Sequence, residues 1–206
     1  MKNRENTLKD LLPAIIMGLL SLIPIGLYIL TIPYLFIEKF LRKQTFSEIG
    51  FKMKGIQKDI LKYWWLIILP IATGYISFFL SKLIVPDFFN HVVERAQPIL
   101  VFDKLAVLIP QLLVLALAEE ICFRAFLQRK LAICMDCKWA IAITSLIFAL
   151  GHFSTGSPTV ILYDLAWIFV DSVIYGIIFH KTKNVYLCWI SHFLANACGL
   201  LILLAV

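Results

Sequence analysis

Long apolar segments, separated by short polar stretches, recur along the whole of this chain. An α-helix rises about 1.5 Å per residue, so roughly 20 apolar residues cross the hydrocarbon core of a bilayer. Hydrophobic residues make up 61% of the 206 positions and charged residues only 16%, which is too apolar for a soluble domain. The sequence therefore predicts an all-α, polytopic transmembrane helical bundle with about six spans, at 11–37, 63–85, 105–130, 138–154, 158–180 and 184–205.

The first predicted span differs from the others in its proline content. Pro13, Pro24 and Pro33 all lie within 11–37, and each removes a backbone donor from the helix. We therefore expect this span to be kinked or tilted, or to consist of two shorter helices.

The distribution of basic residues suggests how the chain meets the membrane. The net charge is +6, but the lysines and arginines punctuate apolar segments and are not interleaved with aromatic residues on a polar face, so no nucleic-acid partner is expected. The basic and apolar residues of 38–62 favour an interfacial amphipathic segment on the lipid bilayer. Alternate loops hold thirteen of the 19 lysines and arginines, and the positive-inside rule places those loops on the cytoplasmic side of the membrane. We expect that membrane to be a bacterial plasma membrane.

Three of the predicted spans carry ionisable side chains at similar depth. Such groups cost at least about 2.5–3.5 kcal/mol within a membrane helix, so each needs a reason. Counted from the nearest basic boundary, Glu119 lies roughly 15 Å deep, His152 roughly 21 Å and His192 roughly 14 Å. The sequence thus predicts that an acid and two histidines converge near the middle of the membrane.

Spacing within the helices indicates which of these side chains share a face. Glu120 and Arg124 are four residues apart, so they can neutralise each other, or their pairing could serve only to lock the bundle. Glu119 is rotated about 100° away and is left to face another helix. His192 and Asn196 project from one face.

The same spacing applies to two further pairs of residues. Phe148 and His152 are four apart, so the phenyl ring can pack beside the imidazole. Asp164 and Asp171 are seven apart on one helix face, where they could line a water-filled cavity or bond neighbouring helices.

These residue types could together hydrolyse an amide by direct attack of water. Desolvation penalises the charged form of a buried carboxyl group, which makes Glu119 a competent base near neutral pH, with His152 helping to hold the water. His192 and Asn196 offer N–H donors that could stabilise the oxyanion. The set requires no serine or cysteine nucleophile.

Three short motifs resemble those of a known family. The run Glu119-Glu120-Ile-Cys-Phe-Arg124 resembles the EExxxR motif of the CAAX protease and bacteriocin-processing (CPBP, or Abi) membrane endopeptidases. Phe148-Ala-Leu-Gly-His152 resembles their FxxxH motif, and His192-Phe-Leu-Ala-Asn196 their HxxxN motif. All three occur in the family's order on successive apolar segments. The resemblance divides one integrated membrane domain into variable N-terminal helices with a basic cytoplasmic loop (1–104) and a catalytic helical core (105–206).

The resemblance also implies roles and an activity. It implies a glutamate-type intramembrane endopeptidase without a cofactor, related to the eukaryotic enzyme that removes the last three residues of prenylated CAAX proteins. Matched by motif, the general base is Glu119, helped by His152; the oxyanion donors are His192 and Asn196; and the supporting residues are Glu120, Arg124 and Phe148. His180 departs from the family pattern, in which an aromatic residue is more usual at this place.

Several alternatives remain open at this point. Glu119, His152 and His192 are plausible zinc ligands for a metallopeptidase, and Cys122 could act as a thiol nucleophile. The chain could instead be a non-catalytic immunity or partner-binding protein on the same fold, or a transporter that uses buried acids such as Asp164 and Asp171. The substrate, a peptide or protein at the membrane, could be a bacteriocin or pheromone leader, a prenylated C-terminus or another membrane peptide.

Overall fold

A computed structural model describes residues 4–23, 27–97 and 105–205. These residues form nine α-helices, with one 3₁₀ turn, one π-helix and no strand among them. The α-helices are α1 (Arg4–Leu20), α2 (Thr31–Leu41), α3 (Ile56–Ile84), α4 (Phe88–Ala96), α5 (Leu105–Glu120), α6 (Arg129–Cys134), α7 (Cys137–Leu150), α8 (Pro158–Thr182) and α9 (Val185–Ala205). The 3₁₀ turn is Leu27–Leu30, and the π-helix Ile121–Gln128 joins α5 to α6.

Among the residues that the structure describes, four helical segments are long and apolar enough, by length and composition, to cross a membrane. They are Ile56–Ile84, Ala106–Cys134, Pro158–Thr182 and Val185–Ile202, and two shorter apolar helices cover Leu11–Leu20 and Cys137–Leu150. These six segments correspond to the six predicted spans, so the predicted multi-pass helical bundle is confirmed.

The predicted span 11–37 is divided into two helices. The helix α1 ends at Leu20, and α2 begins at Thr31 after the 3₁₀ turn. Pro13 lies inside α1, whereas Pro24 falls outside the described residues. Of the two interpretations given for this proline-rich stretch, the structure has the two shorter helices.

The segment 38–62 is not one continuous helix. It contains the end of α2, a loop over 42–55 and the first turns of α3. Gly50 and Gly55 have φ angles of 100° and 82°, in the left-handed region that interrupts a helix. The loop is fastened to the turn between α8 and α9, where the N–H of Val185 donates to the carbonyl of Gly50 over 2.8 Å. A position at the membrane surface stays a prediction for this segment.

The helix α3 packs against both α8 and α9. Leu66 and Ile67 of α3 are buried in one apolar cluster with Ile178 of α8 and Leu187 of α9. A second cluster surrounds the π-helix, where α2 contributes Leu35 and the 42–55 loop contributes Ile49. Helices from the first half of the chain thus enclose the helices that carry the three motifs, while the division at 104/105 stays a prediction.

Candidate active site

The EExxxR motif lies where an α-helix becomes a π-helix. The helix α5 ends at Glu120, and all eight residues of Ile121–Gln128 are buried. A π-helix has a wider hydrogen-bond ring than an α-helix and is frequent at functional sites. The widening begins directly after the two glutamates, so it affects how their side chains and that of Arg124 are placed.

Glu120 is the buried and neutralised member of the glutamate pair. Its side chain and that of Arg124 are both fully buried, with Nε of Arg124 lying 3.1 Å from Oε2 of Glu120. The guanidinium also donates from Nη2 to the Ser172 hydroxyl over 2.8 Å. On its other oxygen, Glu120 receives Nδ1 of His192 at 2.9 Å. The predicted pairing of Glu120 with Arg124 is therefore present, and His192 joins it from α9.

Glu119 is the more accessible of the two carboxylates. Its side chain is 17% exposed, and its Oε2 lies 3.6 Å from Nε2 of His192. Since Nδ1 of the same ring faces Glu120, the imidazole lies between the two carboxylates. Glu119 therefore keeps an exposed edge, whereas the Glu120–Arg124 pair has none.

Aromatic rings fix the orientation of His192. Tyr175 stacks on the imidazole, with ring centroids 4.8 Å apart and an interplanar angle of 18°. Phe148 meets the same ring edge-on at 5.9 Å. The Arg124 guanidinium lies 5.4 Å from the centroid of Phe148, within the range of a cation–π contact. The phenylalanine of the FxxxH motif therefore packs between the arginine and the histidine of the other two motifs.

His152 lies at the end of α7 and not within it. The predicted span 138–154 was too long, because α7 ends at Leu150 and residues 151 and 152 form a turn. Nδ1 of His152 lies 2.9 Å from the carbonyl oxygen of Phe148, and the two rings are 4.7 Å apart, so the predicted packing of Phe148 beside His152 is present. His152 is close enough to His192 for the two to interact electrostatically.

Asn196 lies one turn beyond His192 on α9 and is half-buried. Among the described residues its side chain has no hydrogen-bond partner. The structure thus brings Glu119, Glu120, Arg124 and His192 into direct contact, while Asn196 shares the helix face of His192 without joining that network.

A second charged cluster, which was not predicted from the sequence, lies beside this site. The short helix α4 contributes Arg95, whose Nε lies 3.0 Å from Oδ2 of Asp164, and His91, whose Nε2 lies 3.4 Å from the same oxygen. Arg95 also interacts electrostatically with Glu119 and His152. The signal in the sequence is the four-residue spacing of His91 and Arg95, which puts both side chains on one helix face.

Asp171, the other acid of α8, bonds a neighbouring helix. The hydroxyl of Thr73 in α3 donates to Oδ1 of Asp171 over 2.5 Å. Of the two interpretations given for this aspartate, the structure has the helix-to-helix bond.

Glu119, His152 and His192 were named above as possible zinc ligands. Within 4–23, 27–97 and 105–205, no group of three His, Cys, Asp or Glu side chains is arranged to hold a metal ion. His192 directs Nδ1 at Glu120, and His152 has Nδ1 at its own helix carbonyl. Each histidine thus uses Nδ1 in a hydrogen bond and keeps Nε2 as its remaining ring nitrogen, so zinc stays an alternative prediction.

The fold and the site define a multi-pass helical membrane protein with a buried glutamate, histidine and arginine cluster. Residues 101–198 match the family model described as type II CAAX prenyl endopeptidase Rce1-like. This match is consistent with the CPBP family, which the three motifs predicted. Searches of curated proteins and of solved structures gave no significant match.

Proposed function

We propose that this protein is an intramembrane endopeptidase that hydrolyses a peptide bond of a membrane-associated or small peptide. The observation that carries the proposal is the placement of His192 between two unlike carboxylates. Glu120 is fully buried and balanced by Arg124, whereas Glu119 retains an exposed edge. This difference in exposure supports Glu119, rather than Glu120, as the carboxylate that meets water and substrate.

In the proposed reaction, Glu119 accepts a proton from water as the water oxygen adds to the amide carbon. The same carboxyl group then gives this proton to the leaving nitrogen as the C–N bond breaks, which balances the proton without a metal. His152, held by the carbonyl of Phe148, helps to position the water. His192 and Asn196 supply the N–H donors for the oxyanion.

The role of His192 sets a condition on its protonation. To donate to the oxyanion, the ring must carry a proton on Nε2, the nitrogen that faces Glu119 at 3.6 Å. The Nδ1 contact with Glu120 occupies the other nitrogen, so a ring protonated on both nitrogens would donate to Glu120 and to the oxyanion at once. Its positive charge would then balance the Glu119 carboxylate, as Arg124 balances Glu120. A neutral cluster is the least costly arrangement in a buried site.

A pair of neighbouring substitutions tests the proposal. We expect Glu119→Gln to lower peptide cleavage by about 10²–10⁴-fold, the usual contribution of a general base, while leaving the protein folded. Glu120→Gln is the matched control. It removes one charge from the buried pair, so it should lower the thermal stability of the protein in addition to any effect on cleavage. Membrane peptides from cells with each variant, compared by mass spectrometry, give both the activity and the cleavage site.

Three outcomes would redirect the assignment. Full cleavage by the Glu119→Gln variant would refute the proposed base. If that variant kept the immunity or binding effect of the wild-type protein, a non-catalytic immunity or partner-binding role would be favoured. Activity that disappears on removal of divalent metals and returns with zinc would favour the metallopeptidase alternative. The identified peptides would separate bacteriocin processing or self-immunity from CAAX-type processing.

A further inference from the structure

Four buried polar atoms on the π-helix and α7 have no hydrogen-bond partner within the described part of the chain. They are Nη1 of Arg124 and Oε1 of Gln128 on the π-helix, and the hydroxyls of Thr144 and Ser145 on α7. Each of these residues is 3% exposed or less. A buried polar atom without a partner costs free energy, so in native proteins most such atoms bond to the protein or to ordered water.

The two π-helix side chains are already held in place by their other polar atoms. Nε of Arg124 lies 3.1 Å from Glu120, and Nη2 donates to the Ser172 hydroxyl over 2.8 Å. Nε2 of Gln128 donates to the carbonyl of Gly176 over 2.8 Å. The bonds to Ser172 and Gly176 lie one turn apart on α8, so they set two levels in the contact between the π-helix and α8.

The helix α7 contacts both of these levels. At Gly176, an added Cβ atom would lie 2.9 Å from Cγ2 of Ile141 on α7. At the other level, the ring of Phe148 on α7 lies 5.4 Å from the Arg124 guanidinium. The two unpartnered hydroxyls fall between 141 and 148, and at about 100° per residue they flank the line that joins those two side chains. They therefore face the same three-helix interface as the unpartnered atoms of the π-helix.

The four atoms are complementary to water. A guanidinium nitrogen only donates, an amide oxygen only accepts, and a hydroxyl does both. A buried water molecule forms two to four hydrogen bonds and needs a polar site with room for it. The side chains that α7 and α8 bring to this interface include two short ones, Ser145 and Ser172, and short polar side chains between helices favour such a site.

A cavity of about 340 Å³ meets this interface at the end of the π-helix that is farther from the two glutamates. Gln128 is one of its lining residues, together with Phe179 of α8. Gln128 thus lies between the cavity and Arg124, which is four residues back along the π-helix. Water from the cavity has to pass only this one side chain to reach the buried interface.

We propose that ordered water binds between the π-helix, α7 and α8, where it bridges Nη1 of Arg124 and Oε1 of Gln128 through the hydroxyls of Thr144 and Ser145. This water completes the hydrogen bonds of the guanidinium that balances Glu120. The inference does not rest on the proposed endopeptidase activity, because it concerns only the partners of buried side chains.

An isosteric substitution tests the proposal, since valine has the shape of threonine without the hydroxyl. The bridging water loses a partner in Thr144→Val, so we expect the Tm of the detergent-solubilised full chain to fall by about 2–6 °C. A hydroxyl buried without any partner predicts the opposite sign, because its removal relieves an unfavourable burial. An unchanged or higher Tm would therefore overturn the proposal.

A double-variant cycle tests whether water links the two helices. The Thr144 hydroxyl has no direct bond to Gln128 within the described residues, so coupling between them requires a bridge. In Thr144→Val/Gln128→Met we expect a loss of Tm about 2–4 °C smaller than the sum of the single losses. Thr182→Val is the matched control, because the buried Thr182 hydroxyl donates to the carbonyl of Ile178 over 2.8 Å, and its effect should add to that of Gln128→Met.

Additive losses in the Thr144 pair would refute the bridge. A crystal structure of the wild-type chain, at a resolution that shows ordered water, decides the matter even where a variant fails to fold. We expect an electron-density peak within hydrogen-bond distance of Nη1 of Arg124 and Oε1 of Gln128. A map without this peak, or with both atoms bonded directly to protein groups, would overturn the proposal.

Discussion

Replacement of Arg124 by leucine tests whether the buried charge cluster is balanced as the structure indicates. Arg124 and Glu120 are both fully buried, so removal of the guanidinium leaves a carboxylate without its cation in an apolar interior. Breaking a buried pair in this way costs about 3–5 kcal/mol. The bond from Arg124 to the Ser172 hydroxyl, 2.8 Å long, disappears with the same substitution.

The expected loss can be measured as a shift in the unfolding temperature of the detergent-solubilised protein, followed by circular dichroism. At roughly 2–4 °C per kcal/mol for a chain of this size, Arg124→Leu should lower Tm by about 6–20 °C. The double variant Arg124→Leu/Glu120→Gln should recover about 1–3 kcal/mol, because the unpaired carboxylate is then absent.

Arg42→Leu provides the control for this measurement. Arg42 pairs with Glu38 over 2.9 Å at the same four-residue spacing, but its side chain is 37% exposed, so the loss should stay below about 1 kcal/mol. Glu38 also keeps its bond from the buried Lys130. The reasoning would be refuted if Arg124→Leu shifted Tm no more than Arg42→Leu, or if the effects of the two substitutions in the double variant were additive.

Two further substitutions test the packing around the site. Gly176→Ala should destabilise the protein by about 1–3 kcal/mol, because a Cβ atom there would lie 2.9 Å from Cγ2 of Ile141. Gly74→Ala is the control and should be neutral or slightly stabilising in a thermal unfolding assay, because nothing lies within 4 Å of the added atom. Equal losses of stability in the two variants would contradict the close packing at Gly176. Asp164→Asn should release α4 by removing the carboxylate that Arg95 contacts at 3.0 Å, with a cost of about 1–3 kcal/mol. Hydrogen exchange of the α4 amides should accelerate, and unchanged protection would show that this ion pair does not hold the helix.

The apolar segments predicted the bundle well because hydrophobicity and helix length are local properties of a sequence. The predicted ends of the spans were less accurate where tertiary contacts compete with hydrophobicity. The predicted span 138–154 extends to residue 154, but α7 ends at Leu150, and His152 lies in the following turn. The apolar content of 11–37 likewise did not reveal that α1 ends at Leu20.

The site was predictable in its residues and only partly in its contacts. The Glu120–Arg124 pair follows from a spacing of four residues, and it is present. The π-helix after Glu120 was not predicted, since no residue type encodes its wider hydrogen-bond ring. The contact between Arg95 and Asp164 joins residues 69 apart, and nothing in either local sequence indicates the other.

By itself, the sequence determined the membrane environment, the helical class and the residue types of the three motifs, because each depends on composition or on spacing along one helix. Only the tertiary structure decided which glutamate is sealed and which is accessible. The two are adjacent in sequence and chemically identical, and they differ in what other helices bring to them. Ser172, 48 residues from Arg124, and His192, 72 residues from Glu120, enclose the second glutamate and leave an edge of the first one open.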